Sequence, residues 1–273
     1  MKKMLSLLCA AAMLVAFGAG CKSNDKDSSD GSGTTTKKEL RVATNAEFEP
    51  WETLDADNNV VGADADIINA VADKMGMTVK FQNMKFEGVV GSVASGASDV
   101  AISGLTINAT RLKSVDFSTP YYEGAAQILI VKKDDTTFTG TTKEELDAQL
   151  VGKRIGVCIT FTGEAYAKGD EDWGFAGIKD AQISSFDNIG LAIQDMKNGK
   201  LDAIIMDDSV AKDAVATNEN KDSVKTIDVP LTVEKYGIAI KKGNTELLDK
   251  VNAALKELKD SGELEKILKK WNV

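Results

Sequence analysis

Histidine is absent from the 273 residues, and with it go the commonest general base near neutral pH and the commonest metal ligand. Any catalytic scheme would have to run on carboxylates, lysine or tyrosine. Cysteine is scarce: of three, Cys9 and Cys21 lie near the start and Cys158 stands alone in the body of the chain, so no internal disulfide forms there. A lone cysteine of that kind ordinarily packs as a small hydrophobe. Basic runs are missing too. With 33 Lys and Arg against 42 Asp and Glu, the net charge is −9, which excludes nucleic acid and anionic membrane surfaces as partners. No residue pattern calls for a metal or a cofactor.

What is present is 43% hydrophobic residues, ample for a core in one or two domains. Met1-Lys2-Lys3 is a basic start, and residues 4–17 are apolar but short for a bilayer span, so residues 1–20 read as an export signal peptide. Gly18-Ala19-Gly20 place small residues directly before Cys21, which resembles a bacterial lipoprotein signal and implies lipidation of Cys21. That motif usually carries Leu where this chain has Gly18, which leaves cleavage and release as the alternative. Residues 21–38 are rich in Ser, Asp, Gly and Thr, a flexible linker with a typical reach of roughly 20–25 Å. A lipid at one end and a globule at the other make it a tether.

From Glu39 onward strands and helices alternate, which predicts an α/β fold with ligands beyond the strand C-termini. Residues 40–44 and 78–81 are short strands. Between them residues 62–76 form a helix with acids in its first turn, an apolar stripe at 67, 68, 71, 72 and 75, and Gly76 closing it. Phe86, Val89, Val90 and Val93 mark another helix that ends at Gly96. The segment Gly96-Ala97-Ser98-Asp99-Val100-Ala101-Ile102 returns as Gly199-Lys200-Leu201-Asp202-Ala203-Ile204-Ile205, each copy after an amphipathic helix, an offset too long for a solenoid. Two similar lobes around a shared cleft are expected. The end is helical: Asn244 is a plausible N-cap for residues 245–259, and Gly262 precedes a shorter helix with Leu264, Ile267, Leu268 and Trp271.

Residues 101–122 concentrate the binding chemistry. A strand ends on Ser103-Gly104, where glycine allows close backbone approach and offers an N–H. Thr106 adds a hydroxyl, and Arg111 adds a planar fork that can grip a carboxylate through two parallel bonds. Arg111 also suits a solvated helix start, and the stretch alone leaves both open.

Order and spacing over more than 200 residues extend the match: Pro50-Trp51-Glu52, Gly62-Ala63-Asp64-Ala65-Asp66, Phe86-Glu87-Gly88, Thr106 through Arg111, Asp116-Phe117-Ser118-x-Pro120-Tyr121-Tyr122, Asp202-Ala203-Ile204-Ile205-x-Asp207 and Tyr236-Gly237-Ile238-Ala239-Ile240. In these the chain resembles a family 3 solute-binding protein, the polar amino-acid receptor of an ABC importer, with Ala63 departing from the usual aromatic. The resemblance implies a two-lobed periplasmic-binding-protein fold of type II: lobe 1 from residues 39–122 and 237–273, lobe 2 from 126–231, and two hinge strands at 121–125 and 232–236. It implies that Arg111, the Gly104 N–H and the Thr106 hydroxyl take the ligand α-carboxylate, and that Asp207 takes the α-ammonium from the other lobe. Phe48 and Phe86 would flank the ligand side chain, with Ser103, Asn45, Cys158 and Thr162 completing the lining. Asn45 stands where many members carry Asp, and no extra cation falls on a cleft position, so a neutral or weakly polar amino acid is expected, sulfur-containing ones included. Glu47 or Glu164 turned inward would instead favour Arg or Lys. The expected product is a lipid-anchored, extracytoplasmic monomer that hands its ligand to a permease. An enzyme on the same fold, resembling cyclohexadienyl dehydratases with Glu164 as acid or base, and a ligand-binding sensor are the alternatives.

Overall fold

The computed structural model describes residues 37–273. The chain opens with β1 (Lys38–Thr44), a small hairpin of β2 (Thr53–Leu54) and β3 (Val60–Val61), α1 (Ala63–Lys74), β4 (Met77–Asn83), α2 (Phe86–Ser95), β5 (Val100–Ala101), the short α3 (Ala109–Leu112) and β6 (Val115–Phe117). β7 (Tyr122–Ala125) leads into β8 (Gln127–Lys132), α4 (Lys143–Leu150), β9 (Arg154–Cys158), α5 (Thr162–Lys168), a 3-10 turn (Glu171–Trp173), β10 (Gln182–Phe186), α6 (Ile189–Lys197), β11 (Ala203–Asp207), α7 (Asp208–Ala216) and β12 (Val224–Ile227). β13 (Glu234–Tyr236) then runs back to β14 (Ala239–Lys241), α8 (Thr245–Asp260) and α9 (Glu263–Lys270).

Two five-stranded sheets result, in the orders β4-β1-β5-β14-β6 and β10-β9-β11-β8-β12. Each has three parallel strands on one side and an antiparallel strand inserted beside them. β7 and β13 pair antiparallel and carry the chain between the lobes. The repeated Gly-x-x-Asp segments have one structural job. Asp99 takes the backbone N–H and the guanidinium of Arg41 on β1 (2.7–3.1 Å), and Asp202 takes the same groups of Arg154 on β9 (2.5–3.1 Å). In both lobes a bidentate clamp therefore ties a strand to the turn before its parallel neighbour.

Local signals place the helices. In α1, Ile67, Ile68, Val71 and Ala72 are buried on one stripe, with Asp64 and Asp66 in the first turn. In α8 the Asn244 side chain accepts the Leu247 N–H, and Val251, Leu255 and Leu258 face the core. α8 and α9 pack on α1, which returns the C-terminus to lobe 1, and Trp271 donates its indole N–H to Asp66 (2.8 Å).

Residue 38, expected to close the linker, lies instead in a strand. Lys38 already pairs with Met77 across β1 and β4, and Lys37 reaches Asp73 at 3.2 Å, because the edge of the sheet offers ladder bonds that outweigh the cost of ordering. The signal peptide, Cys21 and the rest of that linker lie outside the described residues. Among the described residues no helix is long and apolar enough to cross a membrane.

Candidate functional site

The C-terminal ends of β1, β5, β9 and β11 meet between the two sheets, and the site is assembled from the loops that follow them. After β5, Asn108 caps α3 by accepting the Arg111 N–H (2.8 Å). That cap folds the Arg111 side chain back under its own loop, where Nη1 donates to the Thr106 carbonyl (2.9 Å) and Nη2 to the Thr160 carbonyl of lobe 2 (3.4 Å). Phe86 of lobe 1 and Trp173 of lobe 2 cover the guanidinium from ring centroids 5.4 Å away. Arg111 is buried, and among the described residues no carboxylate lies within ion-pair distance of it. Burial pulls its pKa down to about 10, opposed by the charges of Glu234 and Asp207, so it stays a cation at neutral pH. A desolvated cation without a salt-bridge partner is costly, and an incoming carboxylate would offset that cost.

Lobe 2 supplies the opposite charge. Asp207 ends β11 and is buried, and its Oδ1 accepts the Tyr236 hydroxyl at 2.5 Å. Burial, then the nearby charge of Glu234, raise its pKa to about 7. Glu234 is one residue that sequence reasoning missed. It is buried in the returning strand, where Oε1 accepts from Gln127 (3.1 Å) and Thr232 (2.6 Å) while Oε2 accepts from Thr106 (2.6 Å) and Thr162 (2.8 Å). One carboxylate thus joins the crossover, lobe 1 and lobe 2. The available signal was parity: Tyr236 points inward, so Glu234 does as well, while Val233 between Thr232 and Glu234 is 85% exposed. The pattern inverts the usual apolar-in rule, and for that reason it is easily overlooked.

Several expected groups hold other posts. The Gly104 N–H is not free for a ligand but donates to Asp64 Oδ2 (2.7 Å), and Ser103 Oγ donates to Glu52 (2.6 Å) while accepting from the Asn45 N–H (3.1 Å). The loop is pulled inward by buried acceptors that would otherwise be unsatisfied. Gly104 has φ 52°, and a Cβ there would sit 2.3 Å from the Phe48 ring, so the glycine is required by packing. Asn45 spends its amide on the Met84 carbonyl (3.0 Å). Cys158 is buried against Met206 at 4.0 Å, and burial, then the charge of Asp207, push its thiol up to about 12. Glu164 accepts from the Thr160 N–H, Lys168 and Ser185 (2.5–2.6 Å), bonds that outweigh burial and hold its pKa below the usual value. Its grip keeps Thr160 at φ 63°, an uncommon conformation for a β-branched residue, beside the guanidinium.

The structure therefore brings together Arg111, Thr106, Thr162, Asp207 and Phe86, and adds Glu234, Phe161 and Trp173. Phe161 packs at 5.4 Å from Phe48 and 4.4 Å from Phe86. A cavity of about 410 Å³ is lined by Phe86, Arg111, Thr160, Phe161, Glu164 and Trp173. A second, of about 180 Å³, lies between Asn45, Glu47, Met84, Phe86 and Asn188. Three contacts link the lobes: Lys85 with Asp187 (2.9 Å) at the smaller cavity, Lys113 with Asp172 (2.5 Å), and the Trp51 indole N–H with Ser209 (2.8 Å).

Two lobes joined by a strand pair, with a buried cation on one and a buried carboxylate on the other, define a binding protein that encloses a small solute. Comparison with known proteins gives the family: the model for bacterial extracellular solute-binding proteins, family 3, matches residues 40–273, and the chain belongs to that family. The arginine-binding extracellular protein ArtP of Bacillus subtilis (strain 168) is 35% identical over 271 residues, 99% of this chain and 98% of that protein. A probable histidine-binding protein of Neisseria gonorrhoeae is 31% identical over 274 residues, 99% of this chain and 96% of that one. Among solved structures, an ancestral arginine-binding protein bound to arginine is 38% identical with a TM-score of 0.75, covering 86% of this chain and 99% of its own. Another solved structure, an ancestral arginine-binding protein bound to glutamine, is 39% identical with a TM-score of 0.74, covering 86% of this chain and 98% of its own.

Proposed function

We propose that the protein is the extracytoplasmic receptor of an amino-acid ABC importer, and that its two lobes close on the ligand about the β7–β13 hinge. The observation that carries this is the buried Arg111 guanidinium, which lacks an ion-pair partner of its own among the described residues and feels the charge of Asp207, buried in the other lobe. Arg111 receives the α-carboxylate, with the Thr106 and Thr162 hydroxyls beside it. Asp207 receives the α-ammonium, and Glu234 adds negative charge nearby. A zwitterion is costly to desolvate unless each pole meets its complement, so this division favours free amino acids. Calorimetry against the twenty amino acids and cystine is expected to give one-to-one binding without turnover. Absence of binding, or consumption of the ligand, would remove the reading. The well-paired Glu164, held below the usual carboxylate range, argues against the enzymatic alternative.

Neutral or polar side chains are favoured by the Asn45 position, by Met84 and Phe86, and by the engagement of Glu164 with Lys168. Glu47 supports a second reading. It lines the smaller cavity and accepts only the Asn188 amide (3.2 Å) among the described residues, so a cationic side chain could pair with it. Tighter binding of arginine than of glutamine, lost in Glu47→Gln, would select that reading.

Two further results are expected. Since Asp207 has a pKa near 7, capture of an ammonium should displace a proton, and affinity should fall by up to about tenfold per pH unit below 7. Titrations in buffers of different ionisation heat measure that release, and a proton count of zero at pH 6 would contradict it. Trp173→Ala uncovers Arg111 and is expected to weaken binding by about 0.5–2 kcal/mol, roughly 2- to 30-fold, through faster dissociation. Stopped-flow release that matches the wild type would take Trp173 out of closure.

Small residues before Cys21 support lipid anchorage through the tether that follows it. Cys21→Ser should then release the protein from membranes, and a variant still membrane-bound would exclude that anchor.

A further inference from the structure

Glu52 and Asp64 are completely buried, yet neither has a cationic partner among the described residues. Asp64 lies in the first turn of the twelve-residue α1, where Oδ2 accepts the Gly104 N–H (2.7 Å) and the Tyr121 hydroxyl (3.0 Å). Glu52 Oε1 accepts the Ser103 hydroxyl (2.6 Å), which in turn accepts the Asn45 N–H (3.1 Å). The remaining oxygens, Glu52 Oε2 and Asp64 Oδ1, find no donor, and the two residues are brought side by side where the Asp64 backbone N–H donates to the Trp51 carbonyl (2.9 Å) and where their side chains hold the adjacent Ser103 and Gly104. Two carboxylates in contact inside a protein cannot both be ionised, whereas a single proton between the two bare oxygens satisfies both. The helix start and two donors favour the charge on Asp64, which leaves the proton on Glu52.

We propose that Glu52 and Asp64 form a carboxylic acid–carboxylate pair sharing one proton, and that this pair is a positioning device that holds the Ser103–Gly104 loop, and through it Thr106 and Arg111, in the shape that receives the ligand. The positioning half rests on the amino-acid-receptor reading above; the shared proton does not. Burial, and then the charge of Asp64, hold the Glu52 carboxyl well above its ordinary 4.5. The titratable group facing the pair from another element is Tyr121, whose hydroxyl is kept protonated by burial and by both carboxyl groups.

Glutamine mimics the protonated acid, since its oxygen can accept from Ser103 while its amide N–H donates permanently to Asp64. Glu52→Gln is therefore expected to bind amino acid within about threefold of wild type, whereas Glu52→Leu, which removes both functions, should lose at least tenfold. Circular dichroism and a cooperative melt check that each variant folds, and Asp64→Asn provides a second replacement that keeps an acceptor for Gly104. The pH profile separates this role from packing alone. The folded state keeps a proton that the unfolded chain gives up above about 4.5, so the wild type should lose stability as pH rises from there, and Glu52→Gln should lose much of that slope. Carboxyl carbon NMR of the wild type at pH 7 should show one protonated glutamate. A Glu52 resonance that titrates near 4.5, or a Gln variant as impaired as the Leu variant, would overturn the proposal. The NMR and melting arms need no ligand, so they still decide the pair if the wild type binds no amino acid.

Discussion

Arg111→Ala is expected to abolish measurable amino-acid binding while the protein still melts cooperatively. The guanidinium is held on four sides, by the Thr106 and Thr160 carbonyls and by the Phe86 and Trp173 rings, and its net positive charge faces where a carboxylate would arrive. Truncating one member of a buried, hydrogen-bonded charge pair costs about 2–5 kcal/mol or more, a loss of some 30-fold to several thousand-fold. Lysine should rescue little, since its point charge cannot reproduce two parallel donors or lie flat between two rings. The fold should tolerate the change, since an unpaired buried cation is a stability cost that alanine removes. A thermal-shift assay reads both: ligand at about 100 times the wild-type Kd adds about 2.7 kcal/mol to the wild type, and the variant should show no shift. An undiminished shift would remove Arg111 from the site.

Asp207→Asn is the second large effect, and it should run in opposite directions for binding and stability. The amide keeps an acceptor for the Tyr236 hydroxyl but loses the charge that meets the ammonium, so affinity should fall by about 2–5 kcal/mol and its dependence on pH near 7 should vanish. Stability is another matter. Burial and Glu234 raise Asp207 from 3.8 to about 7, so the folded state binds more protons than the unfolded chain between those values, and wild-type stability declines as pH rises through that window. Asn carries no such penalty. The variant is expected to melt above the wild type at pH 8, with the difference shrinking toward pH 4. A variant that melts lower at every pH would mean that the carboxylate contributes net stability, contrary to its surroundings. Residues that raise binding at the expense of stability are a familiar signature of a functional site.

The candidate site was only partly legible. Arg111 and Thr106 could be named from their place after a strand end, whereas Asp207, Phe86 and Thr162 were named through the resemblance to the family. Glu234, Phe161 and Trp173 could not be named, because their importance depends on partners distant in the chain, as the Glu234 bonds to Thr162 and Thr106, 72 and 128 residues away, show. The direction of the Gly104 N–H was not legible, since it depends on Asp64 lying beneath the loop.

Sequence by itself determined the elements and their arrangement in two lobes. The apolar stripe of α1 and the Asn244 cap of α8 are local chemistry, decided by a periodicity of 3.6 residues and by a side chain bonding to its own backbone. Tertiary structure alone decided which polar groups are sealed from water and with whom: Glu52 against Asp64, Glu234 against two threonines, Arg111 between two rings. The physical reason is that desolvation is a property of everything packed around a group. The same carboxylate is an ordinary surface charge or a proton-sharing buried acid according to neighbours that the chain brings from elsewhere.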